Sequence, residues 1–402
     1  MLVQFRVENH RSLRDEQTLS LAAATDKTDA HVLRVDGLGE AIVPVVGIYG
    51  ANASGKSNVL AALGFLRGAV VESQRQWDVE DTPHDPFRLS RKVNEPSLYE
   101  VDVVVDGVRF RYGFQLSASR VEEEWLFAWP HGRKAMWFER EGDRFEFGKT
   151  LHGENEVIRN LTRPNSLFLS AAAQNNHPAL SPIVRYFAAW LFSGLGGGAM
   201  LGRGHDMTLF EQLDALSTSG ERTSLLHLLQ AADTGILDVR VDPGLVRRVE
   251  LRHRSAEEDH SWLPLLMESA GTIALLALAP DIIHVLRTGG LLCVDELEAS
   301  LHPSLALSVV RLFNDPEHNR RNAQLVFTTH DTNLLGTTVG EPVLRRDQIW
   351  FTEKDDGGGT HLYPLTDFHP RKEENLERGY LQGRYGAVPF LGELVVKLDE
   401  KP

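Results

Sequence analysis

The sequence has 402 residues, 42% of them hydrophobic and 24% charged, which is ordinary for a soluble globular chain of one large domain or two closely packed ones. The formal net charge of −14 argues against a general nucleic-acid-binding surface, because such binding needs clustered Lys and Arg. A single cysteine, Cys293, excludes an internal disulfide and fits a reducing compartment.

Two segments bear on the cellular location. Residues 1–13 carry polar side chains where a signal peptide needs an apolar centre. The longest apolar stretch, residues 272–286, is interrupted by Pro280, Asp281 and His284, whereas a membrane span needs about 20 nearly uninterrupted apolar residues. We therefore expect a cytoplasmic protein with no membrane partner, in which this stretch forms a buried core helix.

The first predicted elements are a strand, a second strand, a loop and a helix. Leu2, Phe5 and Val7 alternate with polar residues, as in a half-buried strand. The apolar run 41–47 ends in a glycine-rich loop, and apolar residues recur at helical spacing from 56 to 70. The sequence therefore predicts a strand–loop–helix unit before residue 90.

The pattern then changes to a period of two. Apolar residues alternate over 99–105 and 110–114 on either side of Asp106 and Gly107, which predicts a hairpin. Further short strands are predicted at 124–128, 136–138 and 166–170. Together these segments predict an antiparallel sheet beside the strand–loop–helix unit.

The remaining chain divides into a helical part and an α/β part. Residues 175–240 are predicted to be mainly helical and irregular, without a long coiled coil. After residue 263 a helix, a strand (291–294), a helix (304–313) and a strand (324–328) alternate, which indicates a parallel core. The predicted division is 1–95 and 246–402 for the two halves of an α/β core, 96–174 for the antiparallel β subdomain and 175–245 for a helical insertion. The predicted fold class is α/β.

The motif with the clearest chemistry is G-A-N-A-S-G-K-S at residues 50–57, which fits the P-loop pattern G-x-x-x-x-G-K-[ST] between a strand and a helix. Its backbone N–H groups are expected to bind phosphate at the positive end of the helix. Lys56 is expected to neutralise the β- and γ-phosphate oxygens, and the Ser57 hydroxyl to ligate Mg²⁺. The predicted nucleotide-binding residues are Gly50, Asn52, Ala53, Ser54, Gly55, Lys56, Ser57 and Asn58, with ATP and Mg²⁺ as the ligands. The predicted fold class is therefore an α/β P-loop NTPase.

Two later strands end in polar side chains. Asp295 and Glu296 follow the apolar strand 291–294, and consecutive strand residues point to opposite faces. We expect Asp295 to help hold Mg²⁺ and Glu296 to activate the attacking water. His330 ends the strand that contains Thr328 and Thr329, at the place for a γ-phosphate sensor.

These motifs together resemble the ABC-type ATPase heads of SMC, RecF and OLD-like proteins. The likeness rests on the P-loop followed by Asn58, on the Asp–Glu pair running into L-E-A-S-L-H-P at 297–303, and on T-T-H at 328–330. The start E-N-H-R-S-L at 8–13 is similar to that of the same group. The resemblance implies that Arg11 and Ser12 lie near the base or sugar of the nucleotide, and that residues 298–303 reach a partner subunit.

Two further assignments follow from the resemblance. Its signature segment best matches 268–272, so Ser269 and Gly271 are expected to bind the γ-phosphate of the opposite subunit; the alternative is that Ser269 is a plain helix N-cap. Gln174 is the candidate for the Q-loop residue that contacts the metal.

The chain also resembles small AAA-type ATPases of bacterial anti-phage systems (RloA-, PtuA- and AriA-like). This implies an ATP-gated homodimer or higher even oligomer that controls a separately encoded effector such as a nuclease. Two alternatives stay open: a DNA-repair or DNA-end-sensing ATPase, and an ATP-dependent assembly scaffold with little turnover. Short basic runs at 247–254 and 345–346 leave nucleic acid open as a partner.

Overall fold

The structure, a computed structural model, describes residues 1–24, 32–34, 39–130, 132–195, 209–218, 220–232, 235–242, 248–255, 261–299, 301–336, 342–371 and 374–389. The strands in chain order are β1 (Leu2–Glu8), β2 (Gln17–Ser20), β3 (Leu33–Arg34), β4 (Ala41–Ile42), β5 (Val45–Gly50), β6 (Ser97–Val105), β7 (Val108–Leu116), β8 (Val121–Trp129), β9 (Ala135–Glu141), β10 (Arg144–Phe147), β11 (Leu191–Ser193), β12 (Ile236–Asp242), β13 (Arg248–His253), β14 (Trp262–Pro264), β15 (Leu291–Val294), β16 (Gln324–Thr329), β17 (Ile349–Lys354) and β18 (Thr360–Pro364). The α-helices are α1 (Lys56–Gln76), α2 (Asn155–Leu161), α3 (Phe168–Gln174), α4 (Ser181–Ala188), α5 (Leu209–Thr218), α6 (Arg222–Ala231), α7 (Ala270–Thr288), α8 (Pro303–Asn314) and α9 (Leu376–Leu381).

The core is a six-stranded sheet in the order β11-β15-β16-β5-β17-β18. All neighbours are parallel except the edge pair β17–β18. Strands β5, β15 and β16 are buried along their whole length, which explains their nearly continuous apolar sequences. Strand β16 lies between β5, which precedes the P-loop, and β15, which precedes Asp295 and Glu296. The P-loop and this carboxylate pair therefore lie at the same edge of the sheet, with one strand between them. The predicted α/β P-loop fold class is confirmed.

A seven-stranded antiparallel sheet, in the order β10-β9-β8-β7-β6-β1-β2, packs beside this core. The period-two segments form β6 and β7, joined at Asp106 and Gly107 with φ of 48° and 77°. The strands predicted at 124–128 and 136–138 lie within β8 and β9. Strands β1 and β2 also belong to this sheet rather than to the parallel core.

The predicted strand at 166–170 is wrong: helix α3 begins at Phe168. The buried carboxylate of Glu124 accepts hydrogen bonds from the N–H groups of Phe168 (2.7 Å) and Leu169 (3.0 Å), which satisfies donors that a helix leaves free at its start. The local sequence L-F-L-S-A-A-A at 167–173 is apolar except for one serine, and such a run does not distinguish a buried strand from a buried helix.

The region 175–240 is more mixed than predicted. It contains α4, α5 and α6, but β11 joins the core sheet beside β15. Strand β12 lies where irregular structure was predicted, and it forms a separate three-stranded sheet with β13 and β14, which follow this region. Alternation in I-L-D-V-R-V-D over 236–242 was the signal for β12.

The predicted helix at 272–286 lies within α7, the one described helix that by length and composition is able to cross a membrane. Its buried side chains include Leu275, Leu276, Ile282 and Ile283, and it contacts α5, α6 and β15. These contacts are those of a core helix.

Candidate nucleotide site

The loop between β5 and α1 lies at the carboxyl edge of the core sheet. Ala53 and Gly55 have φ of 63° and 107°, so the chain curls there and its N–H groups turn toward one centre at the start of α1. A Cβ on Gly55 would overlap the Thr360 side chain. Glycine is therefore required at this position by both its φ and its close neighbour.

Side-chain hydroxyls from distant parts of the chain support this loop. The Thr360 hydroxyl donates to the Ser54 carbonyl (2.8 Å) and lies 2.8 Å from the Ser12 hydroxyl oxygen. Asn58 Nδ2 donates to Ser12 Oγ (2.7 Å), and Ser54 Oγ lies 2.6 Å from Thr352 Oγ1. Ser12, Ser54 and Asn58, which were expected to contact the nucleotide, thus form hydrogen bonds that support the loop. Thr352 and Thr360 were missed, because nothing in the local sequence distinguishes them.

Arg11 lies beside these supporting residues. Its Nε donates to Asp85 Oδ2 at 2.9 Å, and its backbone N–H donates to the Asp85 carbonyl at 2.9 Å. The structure therefore brings Arg11 next to the P-loop through Ser12 and pairs its guanidinium with Asp85. Asn52 and Ala53, in contrast, are exposed at the tip of the loop.

Lys56 is buried, and its Nζ donates to the carbonyls of Gly50 (2.8 Å) and Ala51 (3.1 Å). Burial lowers the pKa of this amine from 10.5 to about 8, and the carboxylates of Asp295, Glu298 and Glu296 partly oppose that shift. The cation is therefore held inside the curl of the loop at the same edge as the three carboxylates.

A chain of hydrogen bonds joins the P-loop to the carboxylate pair. Asp295 Oδ1 accepts from Ser57 Oγ (3.0 Å) and from Thr328 Oγ1 (2.6 Å). A serine hydroxyl beside a carboxylate is an all-oxygen donor set, as Mg²⁺ prefers. The exposed Ser57 and the partly exposed Asp295 therefore fit a magnesium ion that also binds phosphate.

Glu296 continues this chain. Its N–H donates to Thr328 Oγ1 (2.8 Å), its φ is 53°, and its side chain is exposed. Left-handed backbone at a non-glycine residue is unusual and is found most often at functional positions. The Thr328 hydroxyl, which we did not predict as a site residue, thus contacts both the carboxylate of Asp295 and the backbone of Glu296.

His330 follows β16 and its side chain is exposed at the same edge. Its backbone N–H donates to Glu298 Oε1 at 2.6 Å. Partial burial and the nearby charge of Lys56 lower the pKa of the imidazole. The structure therefore brings Lys56, Ser57, Asp295, Glu296 and His330 together at one edge of the core sheet.

Ser269 and Gly271 lie at the start of α7. Ser269 Oγ accepts from the Thr272 N–H at 3.1 Å, so Ser269 is the N-cap that the alternative interpretation required. Helix α7 packs on β15 and its 19 residues extend about 28 Å, so its exposed start lies beyond the carboxyl end of that short strand. Leu266 and Met267, just before it, are 92% and 72% exposed.

Gln174 is not at this edge, which corrects its assignment as a metal-contacting residue. It is exposed at the end of α3, whose Ser170 accepts a hydrogen bond from the Gln74 N–H near the far end of α1. That end lies about 25 Å along the helix from Lys56. The assignment failed because it depended on the wrongly predicted strand.

The basic run at 345–346 is used inside the fold. Arg345 pairs with Asp347, and Arg346 donates to the carbonyls of Pro370 and Arg371. Arg247 and Ser300, which the sequence interpretation also named, lie outside the described residues.

Sheet order and site geometry define a P-loop domain of the ATPase type. Residues 45–336, more than half of the chain, match the family described as "AAA domain, putative AbiEii toxin, Type IV TA system". The chain belongs to this family.

No curated protein matches the chain. Three similar solved structures each have 12% sequence identity. They are the SMC head domain from Thermotoga maritima (TM-score 0.41, 90% of this chain and 98% of that chain covered), the SmcHead bound to the C-winged helix domain of ScpA (0.47, 91% and 99%), and the Smc head domain with an extended coiled coil bound to the C-terminal domain of ScpA derived from Pyrococcus furiosus (0.44, 91% and 97%).

Proposed function

We propose that this protein binds Mg·ATP and hydrolyses it to ADP and phosphate as an ATP-gated homodimer. The observation that carries the proposal is the hydrogen-bond chain from Ser57 through Asp295 and Thr328 to Glu296. It joins the P-loop to the carboxylate of Asp295 and to the backbone of Glu296, whose own carboxylate is exposed.

Each residue has a defined task in this reaction. The N–H groups of the P-loop and the Lys56 amine bind the β- and γ-phosphate oxygens. Ser57 and Asp295 would hold Mg²⁺, which when bound would supply positive charge to neutralise the phosphates. Glu296, held through its backbone by Thr328, accepts a proton from the attacking water. His330 stands beside Lys56, where its imidazole contacts the terminal phosphate.

A second copy supplies the remaining contacts. The start of α7 presents the Ser269 hydroxyl and the Gly271 N–H at the positive end of a 19-residue helix, which favours an anion. The exposed Leu266 and Met267 beside it would be buried by a partner. ATP bound between two such surfaces stabilises the closed dimer, and hydrolysis reopens it.

The Ser269→Asp variant separates this role from the N-cap role, because Asp caps a helix as well as Ser does but repels phosphate. We expect light scattering to show an ATP-dependent dimer for Glu296→Gln and a monomer for the double variant Ser269→Asp/Glu296→Gln, with equal melting temperatures. A dimer in both proteins would exclude this surface from the interface.

We further propose that closure controls a separately encoded effector such as a nuclease, in a cytoplasmic defence system against phage. The family description, with its toxin–antitoxin vocabulary, supports this context. Affinity purification of tagged Glu296→Gln with Mg·ATP from native cells tests it. A stoichiometric second protein with nuclease motifs is the expected result, whereas a dimer that carries only nucleic acid would favour DNA sensing.

A further inference from the structure

Glu298 is a carboxylate that the reaction above does not use. It lies in the turn between β15 and α8 and is partly buried. Its Oε1 accepts the backbone N–H of His330 at 2.6 Å. This hydrogen bond joins the turn after the carboxylate pair to the turn after β16, two segments 32 residues apart in sequence.

After the β15–β16 ladder, the Leu297 N–H donates to the Thr328 carbonyl at 3.0 Å, a backbone bond between the same two segments. Beyond Thr329 the strand has ended, so no ladder holds His330. A carboxylate accepts a shorter and stronger hydrogen bond than a neutral group does. Glu298 therefore fixes the backbone at the residue whose side chain faces the nucleotide site.

The second oxygen of Glu298 gives an independent indication. Within the described part of the chain, Glu298 Oε2, Asp331 Oδ2 and Tyr49 OH are all buried without a hydrogen-bond partner. Tyr49 is the register partner of Thr329 in the β5–β16 pair, two residues before Asp331. Burial, with the charges of Asp331 and Glu298, raises the pKa of the Tyr49 hydroxyl. Tyr49 directly precedes the P-loop residue Gly50. Unsatisfied buried polar groups are rare in native proteins and call for an explanation, such as a catalytic role.

We propose that Glu298 is a positioning residue for ATP hydrolysis, which holds the backbone of His330 so that the imidazole meets the terminal phosphate. The inference rests on the proposed function and adds a residue to it. The carboxylate does not touch the reacting atoms. It acts through His330. Because Glu298 lies in the turn after Glu296, the position of His330 depends on the conformation of that turn.

Three variants separate this role from a general effect on folding. Glu298→Gln keeps an oxygen acceptor for the His330 N–H and removes the charge. Glu298→Leu removes both the acceptor and the charge. Glu146→Gln, on the exposed edge strand β10, changes a glutamate far from the site.

We expect Glu298→Leu to lower kcat at least about tenfold while the Kd for a fluorescent ATP analogue changes less than about threefold, because only an interaction made during the reaction is lost. Glu298→Gln should recover most of the rate, and Glu146→Gln should match the parent protein. Equal rates for Glu298→Leu and Glu146→Gln would overturn the inference, as would a loss of rate in Glu298→Leu fully accounted for by weaker ATP binding. A parent protein that releases no phosphate would contradict the proposed function itself, which is a distinguishable result.

Discussion

Two glutamates show how the same side chain is used in the two regions of this molecule. Glu124, in the antiparallel sheet, is fully buried and accepts hydrogen bonds from two N–H groups of α3 and from the Tyr112 hydroxyl (2.9 Å), with Arg140 at 3.6 Å. Glu298, at the carboxyl edge of the parallel sheet, has one partner and one buried oxygen without any among the described residues. A carboxylate whose oxygens are all partnered serves the fold, whereas one left partly unpartnered beside exposed polar groups is available for function.

The largest expected effect lies at the fully partnered glutamate. Glu124→Leu leaves Arg140 buried without its counter-charge and frees two helix N–H groups, so we expect a loss of about 3–5 kcal/mol in the free energy of unfolding. Urea denaturation measures it. The isosteric Glu124→Gln keeps an acceptor and should lose less. A loss below about 1 kcal/mol for Glu124→Leu would contradict a stabilising role for this cluster.

The next prediction compares backbone strain at a glycine in the P-loop with backbone strain at a glycine far from the nucleotide site. Gly55→Ala combines an unfavourable φ with overlap at Thr360, and we expect ATP to bind about 10- to 100-fold more weakly. Gly107→Ala, at φ 77° in the β6–β7 hairpin with open space around it, is the matched control. It should cost stability and leave the ATP affinity unchanged. Weaker binding of ATP to both variants would mean that the effect is general.

A third carboxylate lies between these extremes. Burial raises the pKa of Asp281, on α7, from 3.8 to about 6. Between about pH 4 and 6 the folded protein therefore binds a proton that the unfolded chain does not, so this group favours folding at low pH and loses that contribution as the pH rises through 6. We therefore compare the free energy of unfolding of Asp281→Asn with that of the parent at two pH values. The difference, variant minus parent, should be about 1–2 kcal/mol larger at pH 8 than at pH 4. A difference independent of pH would show that Asp281 is not perturbed.

The smallest effect concerns the start of α7. Ser269→Ala removes the hydrogen bond to the Thr272 N–H, which should lower the stability by about 1 kcal/mol. Ser269→Asp should restore it. Thermal unfolding of the ATP-free protein measures both, and equal melting temperatures for all three proteins would contradict the cap.

The sequence predicted the elements whose signals are local. The P-loop, the Asp295–Glu296 pair and His330 each follow an apolar strand, and parallel strands place their carboxyl ends at one edge. The sequence did not predict contacts between distant segments. These are the packing of Thr360 against Gly55, the hydrogen bond from Thr328 to Asp295, and the hydrogen bond from the His330 N–H to Glu298. Helix α3 was mistaken for a strand because its cap, Glu124, lies more than 40 residues earlier. Local patterns thus identify chemistry, whereas the residues that position it depend on the tertiary fold.

The measurement that tests the central claim most directly is phosphate release from ATP by the parent protein, Glu296→Gln and Glu146→Gln, with and without Mg²⁺. We predict Mg²⁺-dependent release by the parent and by Glu146→Gln, and a rate at least about 100-fold lower for Glu296→Gln with ATP binding retained, because only the base is lost. Equal rates for Glu296→Gln and the parent would contradict the assigned base. Tight ATP binding with no release by the parent would instead make the protein an ATP-dependent scaffold.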